Sequence, residues 1–176
     1  MKLGLTGDEI KLMEQTAEWS EEFKRVKQEI IGNTGIEDKR IEHIGSTAIK
    51  EIKAKPIIDI LMAADSLENV DSSLIKGLEK SGFLRLKVKR PGEIVFAKFT
   101  DDSYKTKTHF IHLVEYGKDR WQDMLFFRDY LNAHEEARKQ YEEIKLDYVK
   151  NSSAGINEYT ENKVEFVNSI FEKRKS

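Results

Sequence analysis

Seven residues, Ile57 to Ala63, constrain this chain more than any other stretch. The run Ile-Ile-Asp-Ile-Leu-Met-Ala is strongly apolar, with β-branched side chains, and reads as a central strand. Strand alternation puts Ile57, Asp59, Leu61 and Ala63 on one face and Ile58, Ile60 and Met62 on the other. Asp59 is therefore an acid set within an apolar strand. A carboxylate there requires a metal ion, a cation or hydrogen-bond donors. An internal pairing with Lys55 or an Arg satisfies it as well as a ligand does.

Other elements arrange themselves around this strand. Trp19, Phe23, Val26 and Ile30 recur at helical spacing, which predicts a first helix over Thr16 to Ile31 stopped by Gly32. Arg40 to Ile44 reads as a short strand. Leu67, Val70, Leu74 and Leu78 predict a second helix over Leu67 to Lys80, with Gly82 after it. Phe83 to Lys87, Ile94 to Thr100 and Thr108 to Val114 read as strands, with Pro91-Gly92 and Asp101-Asp102-Ser103 as turns between them. From Lys118 the pattern is helical. A further helix is expected over Glu135 to Lys150, a loop over Asn151 to Gly155, and a last helix capped by Asn157. The order is helix, mixed sheet, then a helical C-terminal third, which is α+β.

Composition narrows the functional classes. A chain of 176 residues fits one domain spanning 1–176. The 30 Lys and Arg against 32 Asp and Glu leave a net charge of −2, so no global field draws in nucleic acid. General nucleic-acid binding is not expected, and a phosphate-bearing ligand requires a local cluster of cations. The absence of cysteine excludes disulfides, thiolate metal sites and a Cys nucleophile. Met1 to Glu9 has no apolar core of a signal peptide, and no run approaches the ~18 apolar residues of a membrane span. The expectation is a cytoplasmic protein with no membrane contact. The oligomeric state is not legible.

The chemistry-bearing segment is Ile41 to Ala63. Gly45-Ser46 ends a strand, a short helix capped by Ser46 or Thr47 follows, and the next strand carries Asp59. Gly45 permits close backbone approach to a ligand, and free N–H groups at the helix start suit a phosphate. An ordinary strand-to-helix turn with an N-cap explains the same two residues. His43 serves equally as a structural residue fixing the turn or as a ligand or base. His112 shares a strand face with Thr108, Phe110 and Val114, whereas His109 faces the other way.

The phrases Glu-His-Ile-Gly-Ser-Thr-Ala (42–48) and Ala-Lys-Pro-Ile-Ile-Asp-Ile (54–60) resemble the GrpB family, whose domain is also fused to some dephospho-CoA kinases. The resemblance extends over nearly the whole chain. It takes in Gly7 to Leu12, Trp19, His109 to His112, Phe127 to Leu131, Tyr141 with Lys145, and Tyr159 with Lys163. It implies a nucleotidyltransferase-like fold of the DNA polymerase β type. In such enzymes a Gly-Ser turn is followed by two alternating carboxylates that hold metal ions around a nucleotide. Gly45 and Ser46 match the turn and Asp59 the first carboxylate, but Leu61 stands at the second. His112 is the candidate that completes a site around a divalent ion (Mg²⁺, Mn²⁺ or Zn²⁺) with Asp59, and Glu42, His43 and Glu93 are further candidates. Lys55 and Arg128 would balance phosphate charge, with Lys145 and Lys163 at motif positions beside them.

Three functions follow as expectations. The first is a metal-dependent nucleotidyltransferase-like enzyme acting on a small molecule, with Asp59 and His112 catalytic. The second is a binding module for a nucleotide, a phosphate or a coenzyme precursor that kept the fold and lost transfer chemistry with Leu61. The third is an interaction domain with no small-molecule site.

Overall fold

The computed structural model describes residues 2–6, 9, 11–150 and 156–176, with side chains of the last helix described from residue 163. Its strands are β1 (Leu5–Thr6), β2 (Ile41–Ile44), β3 (Ile58–Ala64), β4 (Phe83–Arg85), β5 (Ile94–Phe99) and β6 (Thr106–Glu115). Its helices are α1 (Ala17–Thr34), α2 (Ser72–Lys80), α3 (Asp119–Ala133), α4 (Glu135–Lys150) and α5 (Ile156–Lys175). The strands form one mixed sheet in the order β2-β3-β6-β5-β4, with β1 on the start of β6. β3 and β6 run parallel, and the other pairs are antiparallel. The expected α+β class, with a mixed sheet and a helical C-terminal third, is what the chain forms.

The apolar run places β3 beside the middle of the sheet because both of its faces are covered. Ile58, Ile60 and Met62 lie under α1 and α2, in a core with Trp19, Val26, Ile30, Leu78, Phe96, Ile111 and Leu113. Leu61 and Ala63 face the other way, packing with Ile44, Val114 and Trp121 of α3. A third cluster ties the helical third to the segment after β2, with Ile49 and Ile52 packed on Leu131, Tyr141, Phe166 and Ile170. Among the described residues no helix is long and apolar enough to cross a membrane.

Three helix boundaries differ from the sequence reading. α1 does not stop at Gly32 but runs on to Thr34, and Gly35 ends it at φ 73° with its N–H donating to the Ile31 carbonyl. The residue that takes the left-handed conformation decides the C-terminus, and Gly35 rather than Gly32 takes it. α2 begins at Ser72, not Leu67. The Asp71 carboxylate accepts the Ser73 N–H and caps it, while the Leu67 N–H is held by Glu115. Leu67 and Val70 still pack against the core, so the apolar pattern is real although the helix does not reach it. The loop expected over Asn151 to Gly155 lies outside the described residues. α5 starts at Ile156, which puts Asn157, the expected cap, inside its first turn.

Candidate functional site

Asp59 stands on β3 opposite Ile44 of β2, and Gly45 follows directly. A Cβ on Gly45 would meet Asp59 Oδ2 at 2.5 Å, and Gly45 has φ 76°. Glycine is required there on two counts: the carboxylate fills its side-chain space, and its backbone is left-handed. The short helix expected after it is a single 3-10 turn over Ser46–Ala48 with no side-chain cap. It is too short to hold a phosphate by its dipole. Ser46 Oγ lies 3.4 Å from the Tyr141 hydroxyl, and Thr47 Oγ1 lies 2.9 Å from His43 Nε2.

His112 reaches Asp59 from the adjacent strand. Its Nε2–H donates to Asp59 Oδ1 at 3.2 Å, and its Nδ1–H donates to Glu93 Oε1 at 3.4 Å. The Glu93 side chain is fully buried and accepts two hydrogen bonds from Arg120, at 2.9 and 3.2 Å, and one from Arg90. Burial opposes charge on His112, but the two carboxylates outweigh it and hold its pKa up at about 9. Burial likewise raises Glu93, and His112 and Arg120 overcome this and bring it to about 2. At neutral pH the group is a fixed chain of alternating charge, Asp59⁻–His112⁺–Glu93⁻–Arg120⁺. Glu93 is its anchor. The sequence holds one local sign of it, Arg90 and Glu93 bracketing the Pro91-Gly92 turn; nothing local marks Arg120.

Asp59 and His112 open into a cavity of about 620 Å³ between the sheet, the β4–β5 hairpin and the helical third. Among the described residues five Lys and Arg side chains (Lys55, Arg90, Lys107, Lys145 and Lys163) line it beside His112, against the one carboxylate of Asp59. Lys145 on α4 is the most constrained. Its Nζ donates to the Lys53 carbonyl at 3.1 Å and lies 4.8 Å from the Tyr141 ring centre. Burial, then the charges of Lys163 and Lys55, lower its pKa to about 7. Burial and Lys163 lower Lys55 as well. Lys145 and Glu142 together grip the backbone of Lys53, whose N–H Glu142 accepts at 2.6 Å.

The structure thus brings together Gly45, Ser46, Lys55, Asp59 and His112, and it sets two expected residues apart. His43 stacks on Phe23, with ring centres 4.8 Å apart, and burial lowers its pKa to about 4. Arg128 donates to Glu42, Asp129 and the His43 carbonyl, clamping β2 to α3. Both lie by a separate shallow depression rather than the cavity. His109 is structural, buried against Thr108 and Glu22.

The residues present do not fit the metal set that the resemblance implies. Leu61 is fully buried beneath Trp121, so the second carboxylate position is closed to the cavity. Both nitrogens of His112 are engaged by carboxylates, and Glu93 is spent on Arg120. Among the described residues no three His, Asp or Glu side chains converge on a point where an ion could sit.

The architecture recurs in solved structures. The Cid1 poly(U) polymerase, in a mutant bound to MgATP, superposes with a TM-score of 0.53 at 10% identity, over 81% of this chain and 46% of that one. The fold, with the Gly-Ser turn beside a strand-borne acid, is nucleotidyltransferase-like. The GrpB protein of Enterococcus faecalis superposes with a TM-score of 0.71 at 23% identity, over 94% of this chain and all of that one. The family model described as GrpB protein matches residues 9–173. The glutamate-rich protein GrpB of Alkalihalophilus pseudofirmus is 40% identical over 96% of this chain and 97% of its own length. The chain belongs to the GrpB family. It is also 26% identical to the dephospho-CoA kinase of Mycobacterium bovis, over 80% of this chain and 40% of that protein.

Proposed function

We propose that the protein binds a phosphorylated small molecule in the cavity over Asp59 and does not transfer it. One observation carries this reading. In a chain of net charge −2, five Lys and Arg side chains and a single carboxylate among the described residues line one cavity of a size that suits a small ligand. Lys145 and Lys55 are held in like-charge company that an anion would relieve. The closed position at Leu61 and the engaged nitrogens of His112 weigh against a two-ion transfer site. The likeness to dephospho-CoA kinase makes a phosphorylated coenzyme precursor the first ligand to try, with nucleotides after it.

Retention of Gly45, Ser46 and Asp59 on this fold favours a second reading, metal-dependent nucleotidyl transfer to a small molecule. Thermal shift of the full chain separates the two. Phosphorylated ligands are expected to raise Tm equally in EDTA and in Mg²⁺ or Mn²⁺, and Lys145→Met should abolish the rise. A nucleotide effect that needs the divalent ion, with label transfer lost in Asp59→Asn, would overturn the binding reading in favour of the enzyme.

A further inference from the structure

The cavity has two chemically different ends, and the sheet order separates them. At the β2 end Ser46 meets Tyr141, and α4 and α5 bring Lys145 and Lys163 toward Lys55. Asp59 follows on β3, and His112 on β6. Val95 of β5 stands opposite His112, and the Leu86 N–H donates to the Val95 carbonyl, which carries the row into the β4–β5 hairpin. Here the lining is Phe110, Val95, Leu86 and Val88. Two cations line this end as well. Arg90 donates to Glu93, and Lys107 lies 5.6 Å from the Phe110 ring centre. Val88 is 46% exposed, an apolar side chain with little internal packing to explain it.

Asp59 orders whatever lies between the two ends. Its side chain remains 31% exposed after His112 has bonded Oδ1. It repels a phosphate and accepts a donor. The anion is therefore pushed to the lysine end, and a hydroxyl or amine is favoured in the middle.

We infer that the ligand is a phosphate monoester with an apolar, flat-faced body laid across the sheet. Its phosphate sits at Lys55, Lys145 and Lys163, a hydroxyl or amine over Asp59, and its body against Phe110, Val95 and the inner side of the hairpin. This rests on the binding reading and adds the class of ligand and its direction. The hairpin becomes the specificity wall: Leu86 and Val88 turn into the cavity, and Lys87 and Lys89 are exposed.

Calorimetry on the full chain without divalent ions tests it with three probes: inorganic phosphate, ribose 5-phosphate and adenosine 5′-monophosphate. Affinity should rise in that order, with the last step about tenfold, as expected for burying roughly 50–60 Å² of apolar surface. Val88→Asn, at an exposed position, should shrink that last step at least threefold and leave ribose 5-phosphate unchanged. Lys145→Met should weaken all three, and Lys163→Met provides the same measurement should Lys145→Met not fold. Equal binding of ribose 5-phosphate and adenosine 5′-monophosphate would overturn the inference and leave anion binding standing. A full last step in Val88→Asn would overturn the placement of the body. Failure of all three probes to bind would take down both readings.

Discussion

At the scale of single residues, Gly45 is held by both its backbone and its neighbour Asp59. Two glycines with the same φ of 76° separate its two constraints. Gly92 has nothing within 4 Å of an added Cβ, whereas Gly45 has Asp59 atoms at 2.5, 2.9 and 3.1 Å. Gly92→Ala should cost only the left-handed backbone, about 1–2 kcal/mol. Gly45→Ala should add overpacking of about 1–3 kcal/mol and push Asp59 away from His112. Urea unfolding of the two variants measures the difference, and equal losses would show that Asp59 does not press on Gly45. The histidines give a second prediction. By NMR, His112 should titrate at about 9 and His43 and His109 at about 4. The His112 pKa is raised on folding, so its contribution to stability is complete below about pH 6.5 and is lost as pH rises through about 9. Lys145, lowered to about 7, acts in the opposite sense, since the unfolded chain then holds more protons and stability rises with pH above that point. The His112 share is therefore read as the difference between the wild type and His112→Gln across pH 6.5 to 9, and a difference that does not change with pH would refute the ion chain.

At the scale of elements, the helical third is stapled to the segment after β2 by polar groups as much as by the apolar cluster. Asn132 of α3 accepts the Lys50 N–H at 2.9 Å and donates to the Ala48 carbonyl at 3.1 Å. Arg138 of α4 spans the α3 carbonyls of Leu131 and Asn132 and reaches Glu51. Asn132→Ala leaves two backbone groups without these partners. It should cost about 1–3 kcal/mol, with hydrogen exchange at the Lys50 amide accelerated well beyond that of the β3 amides. Uniform acceleration across the sheet would mean that the staple is not a local device. These staples explain what periodicity could and could not reveal. β3 and α1 are legible because each carries a continuous apolar pattern. The start of α2 was not, because Leu67 and Val70 keep helical spacing while Asp71 caps the helix four residues later. The turn at Ser46 was read as a helix start because Ser and Thr there have cap chemistry. In the structure Thr47 faces His43 and Ser46 faces Tyr141, partners that lie on the strand before and on a helix 95 residues away.

At the scale of the whole molecule, the site is assembled from segments that the sequence keeps far apart, so its residues can be nominated one by one but their arrangement cannot be read. Gly45, Ser46, Lys55 and Asp59 are close in sequence, and their residue types alone mark them. Glu93, His112, Lys145 and Lys163 are candidates by type or motif, but their places, like those of Arg90 and Lys107, follow only from the strand order and the docking of α4 and α5. Arg128 stands away from the cavity for the same reason: only the packing of α3 on β2 determines that Glu42 and Asp129 receive it. Leu61 is the residue on which the choice between binding and transfer turns. It packs with Ile44, Ala63, Val114 and Trp121, and its register partners on the neighbouring strands are Glu42 and His112. A carboxylate there would be desolvated beside Glu42, and the two nitrogens of His112 are already taken by Asp59 and Glu93. Leu61→Asp should therefore destabilise the fold by at least about 3 kcal/mol, and by more than Leu61→Ala, which removes packing without introducing charge. Neither Mg²⁺ nor Mn²⁺, with or without a nucleotide, should restore Tm. Recovery of Leu61→Asp by divalent ions would mean that the position still opens onto a metal site, and the chain would then be one substitution away from a transferase rather than built as a binder.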